Sequence, residues 1–588
     1  MTVSSSGNSS LVEERRRAIE RCIDWVETYG RQRMEEDGSH HDYPHVLKLD
    51  RIEFVTTTSS DSDKNAAPMV GLFAKESIRK GDTLVTIPEA CVLSESHPLL
   101  MDLARVCIDS AMKAFRDNLT TQWKQKSNTR NPWNSFANEQ SQGRVLCLDE
   151  LRLALQLTLL VYAHRVKASI GGTLGDAATH FKSYLEALPP SYESLIFNWT
   201  DEEMELLKGT ACHAVALRLR REVEENWEQS FASVLEEYLQ QQLQPNDKVD
   251  STLLKESYFH AICSIYSRMH SLDAANFAST TVTAETNTRT LCPLLDMLNG
   301  DKEYSPRCNV HVLHYPGIHV AVQATRDIAK GDEVIFSYGQ ISSQVFVTKF
   351  GFVPVASTTG KPLIDGLDVV HVVPPPKLVW EEGDERRWKS LTSDKNKVLE
   401  RRHLTEFPPE DGTPFAFMGS PIDMAKVRGS ESWRPVYLNN LHLYALFSLS
   451  NDDGAEVVVE PFEPGSIILD MIDYRLDQMP TIDDDLVSNA SGNKKTAILC
   501  RMLEREILTM WRHAIAKQYE CYGETSPTTG KKYLPLRGQK EGCAVCQTAF
   551  SGPLKSCTRC KAVFYCGRGC QKEDWKAGHK EACKPVSS

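Results

Sequence analysis

Residues 71–88 read GLFAKESIRKGDTLVTIP, and residues 319–339 read HVAVQATRDIAKGDEVIFSYG. Each carries the pattern I-x-K-G-D, at 78–82 and 328–332, between runs in which apolar residues alternate. Alternation marks a half-buried strand, and Lys-Gly-Asp is turn chemistry, because glycine adopts backbone angles that other residues avoid. The two copies predict two hairpins of one sheet system. A further strand run, CNVHVLHY (308–315), enters the second copy through Pro316-Gly317.

Between the copies the period changes. LRLALQLTLLVYAHRV (151–166), the long run 201–243 and SYFHAICSIYSRMH (257–270) repeat their apolar residues at helical spacing. Upstream, Ile19, Cys22, Ile23 and Val26 share one helical face, with Gly30 as the expected stop and residues 1–10 expected to be disordered. Residues 117–145 are polar and irregular. Helical candidates return at 436–450 and 495–520, and 524–542 reads as a polar linker. The predicted class is α+β. Its parts are an N-terminal helical segment (1–50), a β-rich core (51–116 and 250–360) and a helical insertion (117–249) that splits the core. A mostly helical domain (361–520), a linker (521–542) and a small metal-bound module (543–583) follow.

The 588 residues exceed one hydrophobic core, and the net charge of −12 opposes a nucleic-acid coat. No apolar run approaches the roughly 20 residues that a bilayer span needs. The polar start MTVSSSGNSSLVEERRR lacks an apolar signal core. These features predict a cytoplasmic or nuclear chain, not secreted, without membrane or nucleic-acid partners.

Seven of the 17 cysteines lie between Cys543 and Cys583. Cys543, Cys546, Cys557, Cys560, Cys566, Cys570, His579 and Cys583 form a regular series. These eight ligands suffice for two closed tetrahedral Zn²⁺ sites. About 40 residues cannot bury enough apolar area to fold alone, so metal would supply the folding free energy. With both ions bound the segment carries about +2, weak for nucleic acid.

LCPLLDMLNG (291–300) sets Asp296 and Asn299 in an otherwise apolar stretch. From these residues alone they could cap a turn. Arg268 could close a helix at its negative end, and Tyr338 could be a plain strand-end tyrosine.

Taken in order, GLFAKESIRKGDTLVTIP, SRMH (267–270), LCPLLDMLNG and AVQATRDIAKGDEVIFSYGQISSQVFVTKFGFVP (321–354) resemble the SET domain. The likeness is to its branch related to Rubisco large-subunit methyltransferase, in which a helical insertion splits the core. FKSYLEALP (181–189) and LKGT (207–210) match that insertion. The segment 543–583, with FYCGRGCQKEDWKAGHKEAC, resembles the MYND zinc finger.

The first resemblance implies S-adenosylmethionine as methyl donor and a protein side-chain nitrogen, usually lysine, as acceptor. It implies backbone of Val70, Gly71, Leu72 and Phe73 along the cofactor, and Arg268 at its charged amino-acid end. Asn299 and Gly300 would hold the adenosine portion, and Asp296 would buttress this loop or the cofactor. Tyr338 would bring its hydroxyl near the transferring methyl and the amine. His270 and Phe352 would line the substrate channel.

The second resemblance implies Cys543, Cys546, Cys566 and Cys570 on one zinc, and Cys557, Cys560, His579 and Cys583 on the other. It also implies docking of proline-containing peptides, with Gln571 and Trp575 as contacts. Two departures stand out. The family carries Asn-His where this chain has Asn299-Gly300. His270 matches neither the aromatic of lysine-directed relatives nor the asparagine of a histidine-directed one. A histidine-directed enzyme, and a weakened scaffold acting through its finger, therefore remain as alternatives.

Overall fold

The computed structural model describes residues 6–36, 51–57, 69–127, 148–166, 170–273, 287–303, 305–315, 318–355, 360–364, 368–372, 415–418, 462–479 and 489–518. In the C-terminal module it describes 555–557, 559, 563–565, 568–580 and 583. The strands before the insertion are β1 (Ile52–Thr57), β2 (Met69–Ala74), β3 (Thr83–Pro88) and β4 (Leu93–Ser94). After it come β5 (His270–Asp273), β6 (Asn287–Leu291), β7 (Gly300–Asp301), β8 (Val310–Tyr315), β9 (His319–Ala324), β10 (Glu333–Val334) and β11 (Phe336–Ser337).

The two I-x-K-G-D turns do not close hairpins of their own, contrary to the expectation from sequence. Strand β2, before the first turn, pairs antiparallel with β10, after the second. Strand β3, after the first turn, pairs antiparallel with β9, before the second. The turns interlock. Ile78 and Ile328 exchange N–H···O bonds of 2.9 Å in both directions, and both side chains are buried. Gly81 N–H donates to Ala324 O (2.8 Å), and Gly331 N–H donates to Ala74 O (2.7 Å). Both glycines sit at positive φ, +87° and +86°, which explains the residue type. Asp82 and Asp332 accept from the backbone three residues upstream in their own turns. Two sequence-distant halves are thus tied into one core, with sheets β1-β2-β10, β3-β9-β8 and β4-β6-β5 and a parallel pair β7/β11. Only β8 and β9 form the hairpin expected across Pro316-Gly317.

Helices begin at Pro98, ahead of the expected 117, and one of them covers Asp109–Ser127, where irregular chain is expected. Residues 128–147 lie outside the described residues. The helix Leu148–Arg165 is apolar on nearly every face and packs against Ser251–Arg268, as an all-round hydrophobic helix must. Thr200 and Glu203 form a capping box that starts the helix Asp201–Glu205, and Asp250 caps Ser251–Arg268.

The N-terminal helix runs Ser6–Glu36, so it starts inside the stretch expected to be disordered and passes through Gly30. A glycine stops a helix by taking positive φ, and Gly30 does not. Its face of Ile19, Cys22, Ile23 and Val26 is buried as the spacing requires.

Further along, the helices Phe462–Gln478 and Gly492–Gln518 enclose a second core of Ile468, Ile472, Leu503, Ile507 and Trp511. The first of these was not apparent from sequence. The candidate helix at 436–450 and the linker at 521–542 lie outside the described residues. None of the described helices is long and apolar enough to cross a membrane.

Candidate active site

The segment LCPLLDMLNG turns sharply where β6 ends. Leu294 holds φ at +68° with its side chain buried, a costly conformation for a non-glycine residue. A 3₁₀ turn, Leu295–Met297, follows and sends Asp296 inward. The Tyr184 hydroxyl donates to Asp296 Oδ2 at 2.7 Å. Arg268, on the last turn of Ser251–Arg268, donates from Nη1 to Asp296 O at 2.6 Å and stands 3.8 Å from Oδ2. Burial pushes the Asp296 carboxyl up, against the pull of Arg268 and the Tyr184 hydrogen bond. Asp296 Oδ1 and Arg268 Nε are buried without a hydrogen-bond partner among the described residues.

Four residues beyond Asp296, the chain enters β7. Asn299 Nδ2 donates to Glu333 Oε1 at 2.7 Å. Main-chain bonds from Phe336 N–H to Asn299 O (3.2 Å) and from Tyr338 N–H to Asp301 O (2.9 Å) lay β11 alongside. Gly71 of β2 abuts this pair: a Cβ there would stand 3.0 Å from Glu333 Oε1 and 3.2 Å from Asn299 Nδ2. At Gly300 a Cβ would fall 2.5 Å from Tyr338 Cε1. The tyrosine ring occupies the space that a side chain at 300 would need.

Tyr338 stacks on Phe350, with centroids 4.2 Å apart and planes 6° apart, and meets Phe336 edge-on at 5.0 Å. Burial pushes its phenol up to about 12, with Arg268 and the Gly300 main chain acting in the opposite direction. His270 lies 5.5 Å from Phe336. Burial, then Arg268, depresses its imidazole to about 4, so the ring is neutral at physiological pH. Phe352 packs on Phe346 at 5.3 Å, and the aromatic face against Tyr338 is Phe350 instead. In β2, Leu72 is fully buried in the core and stands in register with Phe54 of β1 and Val334 of β10.

Arg268, Asp296, Asn299, Gly300, Gly71 and Tyr338 thus share one neighbourhood. Tyr184, Glu333 and Phe350 belong to it and were missed. FKSYLEALP had been singled out without its tyrosine, and Glu333 follows the second I-x-K-G-D turn directly. Either position would have been found by asking what satisfies Asp296 or Asn299.

In the C-terminal module, the strands Lys555–Ser556 and Phe564–Tyr565 pair antiparallel, and Cys557 N–H donates to Val563 O at 2.7 Å. Cys557 Sγ lies 3.8 Å from Cys583 Sγ and 3.4 Å from His579 Nε2. A tetrahedral Zn²⁺ with Zn–S of about 2.3 Å sets its thiolates roughly 3.8 Å apart, so the three donors fit that ion. The Asp574 carboxylate, 3.6 Å from His579 Nδ1, suits a ring that ligates through Nε2. Cys570 stands outside this cluster. Cys543, Cys546, Cys560 and Cys566 lie outside the described residues.

The family described as SET domain matches residues 69–339, and that described as MYND finger matches 543–583. The chain carries a SET domain and a MYND finger. The SET match spans both interlocked turns, the insertion and Tyr338. The chain is 50% identical over 53 residues to N-lysine methyltransferase SMYD2 of Homo sapiens, 9% of this chain and 12% of that protein. It is 52% identical over 46 residues to ubiquitin carboxyl-terminal hydrolase 19 of Arabidopsis thaliana, 8% and 6% of the two chains. The chain spans less than a quarter of the length of each curated relative it matches. A solved structure, the SET domain of LSMT bound to lysine and AdoHcy, is similar at 13% identity and a TM-score of 0.47, covering 85% of this chain and 91% of that one.

Proposed function

We propose that this chain is an S-adenosylmethionine-dependent protein methyltransferase that modifies lysine, with its MYND finger engaging protein partners. The observation that carries the reading is the seat of Tyr338. Its ring lies directly on Gly300, next to Asn299, with Arg268 among the charges acting on its hydroxyl.

The residues fit the cofactor. Arg268 retains a buried Nε for a carboxylate, and the missing Cβ at Gly71 lets Glu333 and Asn299 pack against β2. When bound, S-adenosylmethionine supplies an activated methyl group for in-line displacement. The chain's own work is positioning, exclusion of water and delivery of a neutral amine. The aromatic walls of Tyr338, Phe336 and Phe350 favour the neutral form of an entering lysine, whose ordinary pKa lies near 10.4. The Tyr338 hydroxyl, held protonated by burial, offers the amine a directional hydrogen-bond partner. Neutral His270 adds no charge that would repel a substrate ammonium.

In the finger, Cys557, Cys560, His579 and Cys583 would hold one zinc, and Cys543, Cys546, Cys566 and Cys570 the other. Gln571 and Trp575, both half-buried, would present the docking face for a proline-containing segment.

Calorimetric titration tests the reading. Saturable binding of S-adenosylmethionine, weakened about tenfold or more by Asn299→Ala, is the expected result. Absence of heat at millimolar ligand would overturn it.

A further inference from the structure

The amide of Asn299 is not free to rotate in its crevice. Its partner is a carboxylate, which only accepts, so the group 2.7 Å from Glu333 Oε1 must be the NH₂ side. One N–H is committed to Glu333, and the amide oxygen is left as the acceptor for a ligand. Glu333 is itself fixed by the fold. It begins β10 directly after the second I-x-K-G-D turn and stands in register with Phe73 of β2. Gly71, two residues earlier on β2, makes room for the pair, since a Cβ there would crowd both Oε1 and Nδ2. On the far side, Arg307 approaches Glu333 Oε2 and Asp301 Oδ2 at 3.5 Å each. Arg307 is mostly exposed, so these pairs contribute little. The short bond to Asn299 is the dominant contact.

We infer that Glu333 is a positioning residue for cofactor binding. It pins the Asn299 side chain so that the amide presents its oxygen to a donor N–H or O–H of S-adenosylmethionine. This rests on the methyltransferase reading. The second I-x-K-G-D turn thereby acquires a functional consequence, because a slip in its register would move Glu333 away from Asn299 and turn it to the other face of β10.

The test is a double-mutant cycle on the full-length chain, read as the dissociation constant for S-adenosylmethionine. Glu333→Ala should weaken binding about tenfold. Glu333→Gln, whose side-chain oxygen still accepts from Nδ2, should stay within about threefold of wild type. In an Asn299→Ala background, Glu333→Ala should change affinity less than about twofold, because its partner is gone. A merely structural glutamate would move the melting temperature and give losses that add. Should Glu333→Ala fail to fold, Glu333→Asp, which draws the carboxylate back by one methylene, carries the same expected loss. Wild-type binding with no loss in either variant, or an additive cycle, overturns this inference and leaves the methyltransferase reading standing. A wild-type chain that binds no S-adenosylmethionine removes both.

Discussion

Gly300 and Tyr338 occupy one volume: a Cβ at 300 would meet Cε1, Cδ1 and Cζ of the ring at 2.5, 2.6 and 2.7 Å. The ring has little room to retreat, because Phe350 stacks on it and Phe336 closes its edge. The departure from the family's Asn-His is therefore coupled to the placement of the tyrosine. Gly300→Ala should force the ring off Phe350. Overpacking of this size costs about 1–3 kcal/mol, so the melting temperature should fall by several degrees. Methyl transfer into the proteins of a cell extract should drop at least tenfold. Gly300→His should be worse on both counts. Wild-type stability and transfer in Gly300→Ala would mean that the ring does not sit on residue 300.

Tyr338→Phe separates the ring from the hydroxyl. The phenylalanine keeps the stack on Phe350 and the contact with Gly300, so folding and cofactor affinity should change little, within about threefold. Transfer of a labelled methyl should fall by about two orders of magnitude, the scale of one precisely placed polar group acting in a transition state. Equal labelling by the two proteins would remove the hydroxyl from the chemistry.

What could be read in advance follows the range of each interaction. Ile19, Cys22, Ile23 and Val26 were legible because a helix face is set within a few residues. The two Lys-Gly-Asp turns were legible for the same reason, since positive φ at Gly81 and Gly331 is a local demand. Their partners were not. That β2 joins β10 and β3 joins β9 depends on Ile78 meeting Ile328 across the insertion, and nothing in either pentapeptide specifies it. The site divides in the same way. Asp296 and Asn299 stood out as acids and amides in apolar sequence. Tyr184 and Glu333, which satisfy them from 112 and 34 residues away, carry no local mark. Gly300 was legible as a departure, and its reason became visible only with the ring in place.

Glu504 gives the chain a pH-dependent joint. On the helix Gly492–Gln518, its carboxylate accepts from Ala211 N–H at 2.9 and 3.1 Å, at the start of the helix Ala211–Asn226. Burial pushes the carboxyl up to about 7 from an ordinary 4.5, against the pull of Arg475 and the amides. Between those values the folded state holds a proton that the unfolded chain has released. The group therefore favours folding below pH 4.5 and loses that contribution as pH rises to about 7, a change of roughly 3 kcal/mol. Glu504→Gln keeps an acceptor and removes the titration. In urea unfolding followed by Trp511 fluorescence, the variant should gain stability over wild type as pH rises from 5 to 8. A gap between the two proteins that stays constant across that range would show that Glu504 is ordinary.

Tyr184→Phe tests the support beneath Arg268. Removing the phenol hydroxyl takes away the 2.7 Å bond to Asp296 Oδ2 and leaves a buried carboxylate with Arg268 as its main partner. An unsatisfied buried acceptor costs about 1–3 kcal/mol, which should appear as a lower melting temperature. Asp296 would then draw Arg268 closer, and the guanidinium would be less available to a ligand carboxylate. Affinity for S-adenosylmethionine should fall about fivefold or more. The loss should shrink in an Asp296→Asn background, where the carboxylate no longer competes. Unchanged affinity in Tyr184→Phe would confine the tyrosine to packing.

Removal of metal should act on the finger alone. Cys557, His579 and Cys583 converge from the end of the strand Lys555–Ser556, the helical turn Trp575–His579 and the chain beyond it, with Tyr565, Val563 and Trp575 packed around them among the described residues. A module of about 40 residues buries too little apolar area to fold alone, so zinc is expected to contribute most of its folding free energy, on the order of 10 kcal/mol. The SET domain has its own extensive apolar core. A strong chelator should therefore release two zinc ions per chain, expose Trp575 and leave the main thermal transition in place. His579→Ala should retain one zinc. Acidification below about pH 5 should mimic the chelator, because protons compete for the thiolates and imidazole. A chain that yields no zinc, or a finger whose Trp575 signal survives its loss, would refute the ligand assignment.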